Sequence, residues 1–332
     1  MISTTFDPKT IIEMSQKRYR RLRQLLLPMR WVNESTATGN EYHMIESHTV
    51  HTCPSGDVSL AYRLFGRSDH GSPTAKTPVL FVHGLSYFSY DWVNFGVQLC
   101  TARLGCAMDM RGFGDSTYSQ AGDYAVTTMA DDITRLLDHL KWRSVILVAH
   151  SMGGRSATCF AAAHPARVAG LVLVDWSPEN APAGSKRVAN TVASTPDAFA
   201  TVDDVMRYFG TDPDSPSGVE KRDRFEAYTK PVAGGFAIKR DPFFRDQFRR
   251  QLETGEAPKR GVDLWQLLGD VVVPTLVLRG TRSDLFAAET LPKMLQKNAR
   301  IRAQELEAGH HIAGDNPEAA LAAIRPFINS LE

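Results

Sequence analysis

From Ser47 onward the chain reads as short apolar runs separated by longer amphipathic stretches. Asp57-Val-Ser-Leu-Ala-Tyr-Arg-Leu64 alternates with period two, as a strand with one exposed face does. Pro78-Val-Leu-Phe-Val82 is continuously apolar, as a strand buried on both faces is. Similar runs follow at Leu104-Gly-Cys-Ala-Met108, Val145-Ile-Leu-Val148, Leu171-Val-Leu-Val174 and Thr275-Leu-Val-Leu278. Between them, 126–140 and 151–163 have helical spacing, and His164-Pro165 ends the second. Strands alternating with helices predict an α/β fold: a mostly parallel sheet with helices on both faces.

Two segments break this rhythm. Between about 177 and 270 no buried strand is evident, while Thr195 and Thr201 are candidate N-caps and Gly210 a candidate helix stop. The spacing predicts a helical lid inserted between two core strands. At the other end, Asp7-Pro8 looks like an N-cap with proline at the first helical position, opening a helix to about Leu27. Its basic residues suit a membrane surface, but its narrow apolar stripe (Ile12, Tyr19, Leu22, Leu26) and the neutral remainder of the chain favour docking on the domain or on a second subunit. That leaves a homodimer open. The division is a 1–45 N-terminal helical extension, a core of 46–176 and 271–332, and a lid at 177–270.

Composition narrows the class. The 332 residues carry 38 Lys+Arg against 37 Asp+Glu, a net charge of +1 without the basic excess of a nucleic-acid binder. No apolar run approaches the length of a transmembrane helix, and the first residues do not read as a secretory signal. Cys53, Cys100, Cys106 and Cys159 form no C-x-x-C pair, which fits reduced buried thiols and a cytoplasmic location, not a zinc or dithiol site. No cofactor and no metal is implied: G-x-G-x-x-G after a strand, a Walker loop and H-E-x-x-H are all missing.

The chemistry concentrates at Val145-Ile-Leu-Val-Ala-His-Ser-Met-Gly-Gly-Arg155. A buried strand runs into a sharp turn and a small-residue helix, with Ser151 at the turn. This is a G-x-S-x-G elbow with Ala149 in the first glycine position. The tight turn needs small neighbours, and the helix start supplies unpaired amides for an anion. A serine that merely caps the helix is the plainer alternative. Acyl transfer also needs two N–H donors aimed at a developing oxyanion. Met152 and Leu85, the latter in Phe81-Val-His-Gly-Leu-Ser86, are the expected backbone donors, with His83 holding that loop. Further on, Arg279-Gly-Thr-Arg-Ser-Asp284 places an acid after a strand, and Gly309-His310 precedes a helix capped by Asn316-Pro317.

Together with Asp109-Met-Arg-Gly-Phe-Gly-Asp-Ser116, these motifs cover about 47–332. The chain resembles the α/β-hydrolase-fold superfamily, in its lid-bearing serine esterase, lipase and C–C-hydrolase type. The resemblance implies a catalytic triad of Ser151, Asp284 and His310. Asp175, ending the preceding strand, and His311 are the competing acid and base. It further implies a serine hydrolase, foremost a carboxylesterase for a small to medium apolar or aromatic ester. C–C hydrolase, lactonase and amidase chemistry would use the same residues. A ligand receptor with slow turnover and a cofactor-free oxygenase are the readings from other classes. Tyr87, Trp92 and Trp176 are the substrate-binding candidates. Arg240 and Lys239, in the lid, are the cations that could meet a substrate carboxylate.

Overall fold

The computed structural model describes residues 43–44, 49–68, 76–256 and 261–332. The basic helix expected from Asp7-Pro8 lies outside the described residues.

The apolar runs build a nine-stranded sheet. Its members are β1 (His43–Met44), β2 (Val50–Ser55), β3 (Val58–Ser68), β4 (Val79–Val82), β5 (Leu104–Met108), β6 (Val145–His150), β7 (Val168–Val174), β10 (Thr275–Gly280) and β11 (Ile301–Leu306). Two further strands, β8 (Thr229–Val232) and β9 (Gly235–Ile238), form a separate hairpin. The main order is β1-β3-β5-β4-β6-β7-β10-β11, with β2 also on β3. From β5 to β11 every pairing is parallel, and β1, β2 and β5 each run antiparallel to β3.

The helices are α1 (Val93–Leu99), α2 (Val126–His139), α3 (Met152–Ala163), α4 (Pro182–Ala193), α5 (Val202–Tyr208), α6 (Pro216–Tyr228), α7 (Pro242–Thr254), α8 (Leu264–Asp270), α9 (Thr290–Lys297), α10 (Ile312–Asp315) and α11 (Pro317–Asn329). The central strands are apolar on both faces because each face meets a helical layer. Leu80, Val82, Leu147, Leu171 and Leu173 share one core with α2, α3, α8 and α9. Phe81, Ile146, Val148, Val172 and Val174 share the other with α1 and α11.

Between β7 and β10 lie α4 to α8 and the β8–β9 hairpin. The hairpin was not expected. Its strands are only four residues long, and Thr-Lys-Pro-Val has no apolar run. Phe199, Val205, Met206, Phe225, Tyr228 and Ile238 pack with Phe88 into a core of their own. The segment's last helix departs from this unit, since Leu264 and Leu268 of α8 belong to the main core. Thr201 caps α5 as expected, with Asp204 completing a capping box. Thr195 caps no helix: it follows α4, and its hydroxyl donates back to Thr191 O at 3.3 Å. Among the described residues no helix is long and apolar enough to cross a membrane.

Candidate active site

Ser151 sits between β6 and α3 with φ 49° and ψ −121°, a strained conformation for a residue with a side chain. Small neighbours make the turn possible. A Cβ added to Gly153 would lie 2.5 Å from the His83 carbonyl oxygen. One added to Gly84 would lie 2.9 Å from Ser151 Cβ, so the loop after β4 passes directly against the serine. Ser151 makes no capping hydrogen bond to α3, which removes the plainer reading of this residue.

The hydroxyl pairs elsewhere. Ser151 Oγ lies 2.8 Å from His310 Nε2, and His310 Nδ1 lies 2.6 Å from Asp175 Oδ2. An ionised carboxylate accepts from Nδ1–H, which leaves Nε2 as the acceptor for the serine O–H. Asp175 is itself strained, at φ 45°, and its side chain is fully buried. Its Oδ1 accepts from Gly280 N–H at 2.8 Å, and Oδ2 also accepts from the Ser283 hydroxyl.

Asp175 therefore holds the place expected for Asp284. The reason is register. His150 pairs with Val174, so the residues that follow, Ser151 and Asp175, leave adjacent strands at one level. Asp284 lies four residues beyond β10, one strand further from β6. It forms a two-pronged ion pair with Arg187 at 2.6 and 2.9 Å instead. That hydrogen-bonded guanidinium holds its carboxyl below the usual range. The turn after β10 still serves the site, but through Ser283.

The other histidines have separate work. Among the described histidines, only His310 meets the Ser151 hydroxyl. His311 packs against Tyr87, with ring centres 4.5 Å apart, and burial pushes its pKa down. His150 donates from Nε2 to the His310 carbonyl at 2.9 Å, fixing the histidine loop against the elbow. Burial, aided by the neighbouring histidines, drives its pKa well below the ordinary value. This role had one trace in the sequence, the His150-Ser151 pair. His83 donates to Gly84 O at 2.8 Å and accepts from Met110 N–H at 2.9 Å, so it pins the loop after β4. Complete burial lowers its pKa to about 4.

Of the substrate-binding candidates only Tyr87 stands at the site, edge-on to His150 at 5.1 Å. Trp92 packs on Phe81 and Phe95 in the core beneath α1. Trp176 lies under Gly154 in the other core. The sequence had put both beside the pocket because they follow strand or loop ends, which does not fix the direction of a ring. Met152 follows the serine and Leu85 follows Gly84, which passes against it, and among the described residues neither N–H has a protein acceptor. The inserted segment reaches this loop through two arginines missed or left unplaced in the sequence. Arg224 pairs with Asp91 at 2.7 Å, and Arg240 donates to Ser86 Oγ at 2.8 Å.

A family model described as the alpha/beta hydrolase fold matches residues 77–216. The chain is 29% identical over 254 residues to 2-(acetamidomethylene)succinate hydrolase of Mesorhizobium japonicum, covering 76% of this chain and 88% of that protein. It is 27% identical over 267 residues to 3-hydroxybutyrate-oligomer hydrolase of Cupriavidus necator, covering 77% and 88%. The crystal structure of an E-2-(acetamidomethylene)succinate hydrolase superposes with a TM-score of 0.72 at 27% identity, over 86% of this chain and 100% of that one. An alpha/beta hydrolase from Novosphingobium aromaticivorans gives 0.67 at 26% identity, over 86% and 99%. With this sheet order, elbow and set of relatives, the chain belongs to the α/β-hydrolase superfamily, and its relatives support a hydrolase.

Proposed function

We propose that the chain is a serine hydrolase that cleaves carboxylic esters of modest size through an acyl-serine intermediate. The observation that carries this is the unbroken Ser151–His310–Asp175 hydrogen-bond chain. In this reading Ser151 Oγ attacks the ester carbonyl as His310 Nε2 takes its proton. The tetrahedral oxyanion faces the Leu85 and Met152 N–H groups. His310 then protonates the departing alkoxide. Water attacks the acyl-serine with His310 again as base, releasing the acid and restoring the hydroxyl. Asp175 holds the imidazole in the required tautomer and stabilises its charged form. The segment from α4 to α7 acts as the lid, since Arg224 and Arg240 tie it to the loop after β4. Its aromatic residues fill its own core, so they give little support to a wide apolar pocket.

Ser151→Ala is expected to lose at least about 10³-fold in kcat on a 4-nitrophenyl ester while its circular dichroism is unchanged. A fluorophosphonate should label Ser151 and leave the alanine variant unlabelled. An active alanine variant, or labelling at another serine, overturns the assignment.

A further inference from the structure

Arg240 follows β9 and is 6% exposed. A guanidinium stays protonated in a protein, so this is a buried positive charge. Other buried arginines meet carboxylates: Arg63 with Asp115, Arg103 with Glu332, Arg111 with Asp132 and Arg279 with Glu305. Arg240 has no such partner among the described residues. Its Nη1 donates to Ser86 Oγ and its Nη2 to Thr195 Oγ1, both at 2.8 Å. Two of five N–H donors are thus used, on neutral hydroxyls.

Other acids of this region are engaged. Asp91 pairs with Arg224, Asp115 with Lys239, Asp197 with Arg245, and Asp241 accepts from Tyr124. Beside Ser86, the buried Tyr228 hydroxyl has no partner in hydrogen-bonding geometry. Ser86 itself is held at φ 67°, one residue after Leu85. A buried charge without a counter-ion is costly unless something pairs with it. Here the vacant donors of Arg240 and Tyr228 converge on the loop that flanks the nucleophile.

We propose that Arg240, with the Tyr228 hydroxyl, binds a carboxylate of the substrate, so that the site selects esters that carry a second, free carboxylate. The placement of that substrate rests on the acyl-serine reading above. A planar guanidinium suits a carboxylate because two N–H groups can meet its two oxygens in parallel.

The test compares two matched ester pairs. One is 4-nitrophenyl hemisuccinate against 4-nitrophenyl pentanoate, with the charge on the acyl side. The other is 4-acetoxybenzoate against 4-acetoxybenzamide, with the charge on the leaving group. In at least one pair the wild type should prefer the charged ester in kcat/KM. Arg240→Met should lower that charged-to-neutral ratio roughly 30-fold or more. Using the ratio cancels any slackening of the Ser86 loop, which would slow both members alike. No preference in either pair, or an unchanged ratio in Arg240→Met, overturns the proposal. If Arg240→Met does not fold, the wild type decides: butyrate should inhibit competitively where butyramide does not, and equal inhibition overturns it. If no ester is turned over, the ester reading fails by itself. Calorimetry of butyrate binding to Ser151→Ala, with and without Arg240→Met, then judges the carboxylate site alone; Arg240-dependent binding supports it, and no binding or Arg240-independent binding overturns it.

Discussion

Asp175 accepts hydrogen bonds from His310, Gly280 and Ser283 at the end of β7, whereas Asp284 is partly exposed and committed to Arg187. The two carboxylates should therefore respond differently to the same change. In Asp175→Asn the amide can donate to His310 Nδ1, which favours the wrong tautomer and removes the counter-charge. A loss of roughly 10³- to 10⁴-fold in kcat is expected. Asp284→Asn weakens only an exposed ion pair, worth at most about 1 kcal/mol, so kcat should change by less than about threefold. Ester kinetics on the two variants check this, and a crippled Asp284→Asn with an active Asp175→Asn would make Asp284 the acid. The meeting of Ser151 with His310 was legible because each sits in a local pattern, the small-residue elbow and Gly309-His310. The carboxylate that meets His310 was not, because two strands each end near an aspartate and only the pairing of His150 with Val174 puts Asp175 level with Ser151.

At the scale of elements, the constraint that bears most directly on Ser151 is the approach of α3 to the loop after β4. Gly153 in the first turn of α3 leaves no room for a methyl group, with the His83 and Val82 carbonyl oxygens 2.5 and 2.9 Å from where it would stand. Both obstacles are backbone, so the strand end or the helix must move. Gly153→Ala should cost at least about 2 kcal/mol in urea denaturation, and it should also slow turnover, because the movement displaces Ser151 and Met152 together. A variant as stable and active as the wild type would show that the elbow is looser than its geometry. The buried strands were legible for the same physical reason that makes this packing tight. Strands covered on both faces must be apolar along their buried length, and β4, β7 and β6 as far as Ala149 are. The β8–β9 hairpin carries no such requirement, being short and partly exposed, so its sequence offers only the three apolar residues of Phe236-Ala-Ile238 to read. The same holds for the limit of the inserted segment, where Leu264 and Leu268 reveal α8 as a core helix only through the neighbours they meet.

Across the whole molecule, buried ionisable groups make stability depend on pH in opposing ways. His83 has an ordinary value near 6.5 and a folded value of about 4, because burial opposes its charge. Between those two values the unfolded chain takes up a proton that the folded protein refuses. Its contribution is therefore complete above about pH 6.5 and is lost as pH falls toward 4. His150 and His311, also lowered mainly by burial, act in the same direction. Asp109 acts in the other. Burial raises it to about 6, against the pull of its Ser89 and Asp115 N–H bonds, so the folded state holds a proton that the unfolded state has released. Its term weakens the fold as pH rises from about 4 to 6. Three histidines weigh against Asp109, and a carboxyl held low by a cation, such as Asp284 beside Arg187, adds to their direction at lower pH, so the protein should lose stability on acidification below pH ~6.5. Single variants separate the terms. The stability difference between wild type and His83→Asn should grow by on the order of 3 kcal/mol as pH rises from about 4 to 6.5. The difference between wild type and Asp109→Asn should move the opposite way over the same range. Urea denaturation at intervals of half a pH unit reads both slopes. A His83→Asn difference that stays constant with pH would mean that His83 is charged in the folded protein, and with it that the Met110 N–H it accepts has another partner.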